Sequence, residues 1–248
     1  VNPKPTWLVP AVLILVGLLC VFLVVFIIVA TVRDRRRKVA ELRAAAEAMG
    51  LSFMPKGDKD FAAAWSVIKP LHKGGAVTNV VFGTLASGPT VTAFKHFYVV
   101  STGQGAHVVH HAVVAVDTPA WPRVEIKRRN AVMKWLQGAL SRKKTGPSAP
   151  DSDGAGDGRA TFDREWVVDA EDAAFAESLL TEAVCMAMSL HEKAVAWWFV
   201  GGKVAVLRSD ALTPDLLAES IAQIESVSAA MPDDLKRMSG TPEQVDEA

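Results

Sequence analysis

Four of the six histidines, His96, His107, His110 and His111, fall between positions 96 and 111, and imidazoles so grouped can hold a metal ion or move protons. If residues 106–117 form a strand, His107 and His111 share a face but stand about 13 Å apart, at about 3.3 Å per residue, too far to share an ion. A histidine from another strand, such as His96, could still pair with one of them. The alternative is that these are plain strand-surface or core imidazoles. His110 with Asp117 or Asp169 would make a hydrolytic acid–base pair only where the fold brings them within about 3 Å.

The remaining motif-like pieces lack the residues their chemistry needs. His191-Glu192 opens a zinc-protease pattern, but Val195 stands where the second histidine belongs. Asp151, Asp153 and Asp157 imitate the start of a calcium loop, yet Phe162 occupies the twelfth position, where a bidentate carboxylate is required. Gly103-Gln104-Gly105 and Gly154-Ala155-Gly156 lack the third glycine and following helix that cradle a pyrophosphate. Cys20 and Cys185 give no disulfide framework and no zinc spacing. The sequence thus carries no catalytic motif and calls for no cofactor or metal, and the expected protein is not an enzyme.

Charge is more informative. The chain carries 27 basic and 27 acidic residues, but residues 1–150 hold 20 of the basic and 7 of the acidic ones, a net of +13, and the remainder is −13. Two basic segments stand out. Arg33, Arg35, Arg36, Arg37 and Lys38 oppose a single Asp34, and Arg123–Lys144 includes Arg128, Arg129, Lys134, Lys143 and Lys144 around Trp135. Both suit an anionic lipid surface, where each cation contributes about 1 kcal/mol. For the second segment, an ordinary helix packed on a sheet is the competing reading. A nucleic-acid partner is not expected, because the patch is short and aromatics are not interleaved on the strands.

Trp197, Trp198 and Phe199 are consecutive, so in a strand their bulk projects to both sides. Either both faces are covered internally, or one of them is a partner-docking surface.

The elements that position these groups begin with an apolar run. No charged residue lies between Trp7 and Val32, and nineteen positions from Leu8 to Val32 are Leu, Ile, Val or Phe. A membrane helix needs about 20 such residues. Residues 7–32 are therefore expected to span a bilayer, with 1–6 as a short outer tail and 33–50 as a basic juxtamembrane helix stopped by Gly50. The cationic inner border places the domain, residues 51–231, in the cytoplasm. A cleavable leader would have a shorter core and its charges on the other side.

Within the domain, Leu51–Met54 suggests a short strand, and Asp58 or Asp60 can cap a helix carrying Phe61, Trp65 and Ile68, closed by Gly74 and Gly75. Residues 76–86, 90–101 and 106–117 read as three antiparallel strands, followed by an edge strand over 123–127. A helix is expected over 131–141 and a mobile insertion over 143–160, rich in Gly, Pro, Ser and Asp. Beyond it come a strand at 161–168 and a helix from Asp169. A hairpin then turns at Gly201-Gly202, and a final helix is capped by Thr213 with Pro214 at its first position. Residues 232–248 are an acidic tail expected to fray. The sum is an α+β domain whose antiparallel sheet is packed against helices on one face.

Three stretches, Gly50-Leu51-Ser52-Phe53, Val80-Val81-Phe82-Gly83 leading to Val91-Thr92-Ala93-Phe94, and Phe162–Val168, resemble a loose group of N-terminally anchored bacterial membrane proteins. The arrangement over most of residues 7–230 is also similar to the trehalose monomycolate transport factors of mycobacteria, anchored cytoplasmic partners of a lipid exporter. The resemblance implies a non-enzymatic accessory or scaffold subunit of a membrane complex in the bacterial envelope. It carries over no functional residue. The alternative is a lipid or small-ligand sensor at the inner membrane surface, and a homo-oligomer is compatible with either.

Overall fold

The computed structural model describes residues 8–65, 68, 75–86, 88–102, 105–129, 158–190 and 194–237. It opens with α1, Leu8–Ala48, one unbroken helix of 41 residues. No glycine or proline interrupts it after Gly17, so nothing in the sequence invites a kink. Gly50, at φ 76°, ends it, and the Leu51 amide donates back to the Ala46 carbonyl. From Gly17 to Val32 the described side chains are all exposed, whereas Leu42 and Ala46 are buried and Val39 is half-buried. One helix therefore has an apolar exposed part and a part inside the core.

The domain is built on β1 (Ser52–Lys56), β2 (Ala76–Thr84), β3 (Thr90–Thr102), β4 (Gly105–Asp117), β5 (Val124–Arg128), β6 (Trp166–Ala170), β7 (Ala194–Val200) and β8 (Lys203–Arg208). All pairings are antiparallel, in the order β1-β2-β3-β4-β8-β7-β5-β6. The helices are α2 (Lys59–Ala64), α3 (Gly158–Glu165), α4 (Ala173–Leu179), α5 (Glu182–Ser189), α6 (Pro214–Ala230) and α7 (Asp233–Arg237). This is an α+β architecture.

Period-two alternation gives the sheet two buried faces. On one, Val91, Ala93, Val114, Trp197, Phe199 and Val206 pack with Leu42 and Ala46 of α1 and the apolar stripes of α3 to α7. On the other, Phe94, Val113, Trp198 and Leu207 lie with Trp65 and Ile68, and Phe61 packs against that cluster. The expectation of one covered face is corrected by that second cluster. Asn79, at φ 54°, marks a bulge in β2 that resets the alternation, so Val77 and Val80 join the same cluster.

Local signals placed several elements. Asp58 caps α2 through the Phe61 amide at 2.7 Å, Thr213 caps α6 with Pro214 behind it, and Gly201 and Gly202 turn β7 into β8 at φ 59° and 71°. Four expectations change. The strand at 123–127 is not an edge: β5 lies between β7 and β6. Residues 161–165 belong to helix α3, and β6 starts only at Trp166. The helix expected from Asp169 is two helices, capped separately by Asp172 and Thr181. The chain does not fray at 232, because α7 returns Leu235 to the core beside Met231. The helix expected at 131–141 and most of the insertion fall outside the described residues.

Candidate membrane-facing surface

Strand direction fixes which groups share an end of the sheet. α1 finishes where β1 begins, Ser52 pairs with Phe82, and Phe82 with Thr92, so the C-terminal end of α1 lies near the start of β3. Leu42 and Ala46 share a core cluster with Val91 and Ala93, and Arg35, further back on α1, acts on Lys95, further along β3, so α1 traced toward its N-terminus follows the advance of β3. Arg35 is close enough to β3 and β4 to act electrostatically on Lys95 and His110.

Partial burial, then the Arg35 guanidinium, holds the Lys95 ammonium below its ordinary value. His110 is lowered by desolvation first, then by Lys95 and Arg35. These three cations, or potential cations, come from three elements. Among the described residues, no acid stands within ion-pair distance of Arg35 or Lys95. Such a site can receive an anionic group such as a phosphate. Local sequence gave no sign of it, since residues 35, 95 and 110 meet only through the fold.

The other basic residues of α1 lie along an exposed helix. Arg37 bonds Glu41 at 2.8 Å and Lys38 bonds Asp34 at 2.7 Å, exposed pairs of small energetic weight. Arg33 and Arg36 are also exposed. Arg128 and Arg129 have structural partners. Arg128 bonds Glu165 at 2.8 Å and lies over the Trp166 ring, and Arg129 donates to the Asp163 carbonyl at 2.9 Å. They tie β5 to α3. Lys134, Trp135, Lys143 and Lys144 fall outside the described residues.

Trp197, Trp198 and Phe199 are at most 1% exposed. The docking surface proposed for them is therefore corrected: Trp197 and Phe199 fill the helix-covered face and Trp198 the opposite one. Trp198 also donates its indole N–H to Glu125 at 2.8 Å, and this fully buried carboxylate pairs with Arg123 at 2.9 Å and Lys127 at 2.7 Å. Arg208, fully buried on the other face, reaches Glu219 of α6 at 3.1 Å and Ser220 at 3.5 Å.

Of the histidines, His96 and His111 are cross-strand partners, with the Tyr98 ring 5.5 Å and 5.8 Å from them. His96 is buried, and a Cβ at Gly75 would overlap its imidazole, so the glycine is needed there. Neither Nδ1 atom has a partner among the described residues. Burial, followed by His96 and His110, pushes His111 down to about 4. Both rings are thus held neutral. Among the described residues no three metal-binding side chains gather. His110 and Asp117 stand seven positions apart on β4, roughly 23 Å, and Asp117 is paired with Lys203. Asp169 lies four strands away on β6 beside Arg123. The acid–base pairs considered for His110 do not form.

A shallow cleft of about 290 Å³ lies between the end of β4 and α6, lined by Val116, Trp121, Ile224, Met231 and Lys236 among others.

No protein-family model matches the chain, and no curated protein matches it. Among solved structures it is similar to the crystal structure of the mycobacterial trehalose monomycolate transport factor A, TtfA. The TM-score is 0.49 with 12% identity, over 79% of this chain and 97% of that one. A likeness of this degree does not extend to function.

Proposed function

We propose that this chain is a single-pass membrane protein whose apolar helix anchors the α+β domain to the cytoplasmic face of a bacterial inner membrane. The domain acts as a non-enzymatic accessory or scaffold subunit that docks on a larger integral membrane complex. The observation that supports the anchor best is the continuity of α1. Its apolar run is long enough to cross a bilayer and is exposed over Gly17–Val32, while Leu42 and Ala46 of the same helix are core residues. A removable leader has no reason to extend into the domain it precedes. The arginines from Arg33 to Arg37 favour the domain-inside orientation.

The charge split supports a pose. The basic N-terminal part sits toward an anionic leaflet, and the acidic C-terminal part is directed away from it. Crosslinking in native membranes, followed by identification of neighbours, tests the docking role: an integral membrane partner is expected, and a lone monodisperse protein after mild-detergent extraction counts against it. Protease added outside intact cells should spare the domain. Digestion of the domain would invert the topology and remove the proposal.

The second reading is a sensor for an anionic lipid, favoured by Arg35, Lys95 and His110 converging without a nearby acid among the described residues. Native mass spectrometry of the detergent-extracted chain would show a retained lipid, and repeated absence would dismiss this reading.

A further inference from the structure

The β3–β4 hairpin is longer than the sheet that holds it. β2 pairs with β3 only as far as Phe97, and β8 pairs with β4 only from Ala112 onward. Beyond those points, the strand pairings among the described residues are those of the two strands with each other, through Val99↔Val108 to Thr102↔Gly105. No Asp, Glu, Lys or Arg occurs from His96 to Val116.

The ribbon exposes apolar side chains. Val99 is 62% exposed and Val108 54%, and the two are cross-strand partners. By alternation they lie on the same side as Lys95, Ala93 and Val91, the face on which α1 packs. The direction of the ribbon matters as much as its composition. Val99 lies four residues beyond Lys95, about 13 Å. Val32, the last apolar residue of the span, lies about 4.5 Å beyond Arg35 along the helix axis. With Arg35 near Lys95, the exposed valines reach the level at which α1 becomes fully apolar.

We propose that the β3–β4 ribbon is a second membrane contact, its uncharged outer half seated in the interfacial layer of the bilayer beside α1, with Arg35 and Lys95 at the level of the lipid phosphates. This rests on the anchor reading above. Depth follows from the backbone. A two-stranded ribbon is neither a helix nor a closed barrel, the two backbones that hydrocarbon accepts, so it enters the headgroup region and not the acyl core. Lys95 at the base, Val99 and Val108 beyond it, and the uncharged polar Ser101, Thr102 and Gln104 that follow Val99 in sequence suit that layer, which takes polar and apolar groups together.

The test is site-directed spin labelling of the full chain in vesicles of phosphatidylcholine and phosphatidylglycerol. Cys20→Ala removes the accessible thiol, and Cys185 is buried with its thiol pushed up to about 11, so it stays unlabelled. Labels go at Val99→Cys and Val108→Cys, with Leu23→Cys in the anchor and Ser226→Cys on exposed α6 as references. The expected result is that both ribbon labels are reached by oxygen and shielded from a water-soluble nickel chelate, several-fold more than the label at 226. If the ribbon labels match 226 while the label at 23 reports lipid, the anchor stands and the ribbon contact is overturned. A label at 23 open to the chelate removes both.

Discussion

The two parts of the β3–β4 hairpin contain the same kinds of residue and meet opposite fates. Phe94, Val113 and Val114 are fully buried, and Val99 and Val108, a few positions further on, are more than half exposed. What differs is company. Inside the sheet, β2 and β8 flank the hairpin and Phe61 and Trp65 close over Phe94, with ring centroids at 5.3 Å and 5.0 Å. Outside it, neither strand has a second neighbour among the described residues. Apolarity in this chain therefore marks two solvents, the protein interior and, on the reading above, a membrane.

The contrast can be broken at the buried end first. Phe94→Ala opens a cavity beneath Phe61 and Trp65 and should cost about 3–5 kcal/mol, read from urea unfolding of the domain in detergent. Next, Glu125→Ala should cost about 2–3 kcal/mol by the same measurement, because it leaves the buried Trp198 indole N–H without its acceptor and takes a shared carboxylate from Lys127 and Arg123, the latter keeping Asp169. An unchanged midpoint for either would mean that the interior is looser than described.

His111 sharpens the contrast at the boundary between the two regions. Its pKa is lowered to about 4 in the folded domain, against about 6.5 in an unfolded chain. The unfolded chain therefore binds more protons between those values. Stability from this group is complete above about pH 6.5 and falls as the pH drops toward 4, by on the order of 2 kcal/mol. His96, also lowered by burial, acts in the same direction. Unfolding curves at pH 7 and pH 4.5 should converge for His111→Gln relative to the parent. The smallest effect belongs to the tip: Val108→Ser should change stability by less than about 0.5 kcal/mol. A large loss there would show the valine to be covered.

Much of the fold is legible in the sequence where chemistry is local. Ser87-Gly88-Pro89 separates two β-branched runs, Gly201-Gly202 accepts positive φ, and Thr213-Pro214 writes a helix start, so β2 to β4, β7, β8 and α6 were all readable. Where partners come from afar, the signal disappears. β5 looks like an edge because Arg123, Glu125 and Lys127 alternate with apolar residues. Only the strand order brings Trp198 to Glu125 and buries that carboxylate. The Trp197–Phe199 run is ambiguous for a related reason, since burial on both sides depends on Trp65 and Ile68 arriving from more than a hundred residues away. Of the candidate site, the α1 arginines were visible as a block. The meeting of Arg35 with Lys95 and His110 was not, because it is a property of how α1 crosses the sheet.

The unbroken helix has a mechanical meaning. A domain on a flexible tether samples every attitude, whereas α1 enters the fold without a joint between Leu18 and Ala48 and is clamped there at Leu42 and Ala46. Tilting the bilayer segment by a few degrees would swing the whole sheet as a shaft swings its blade. A protein that leans on the anchor within the lipid could thereby reorient the domain on the other side without touching it.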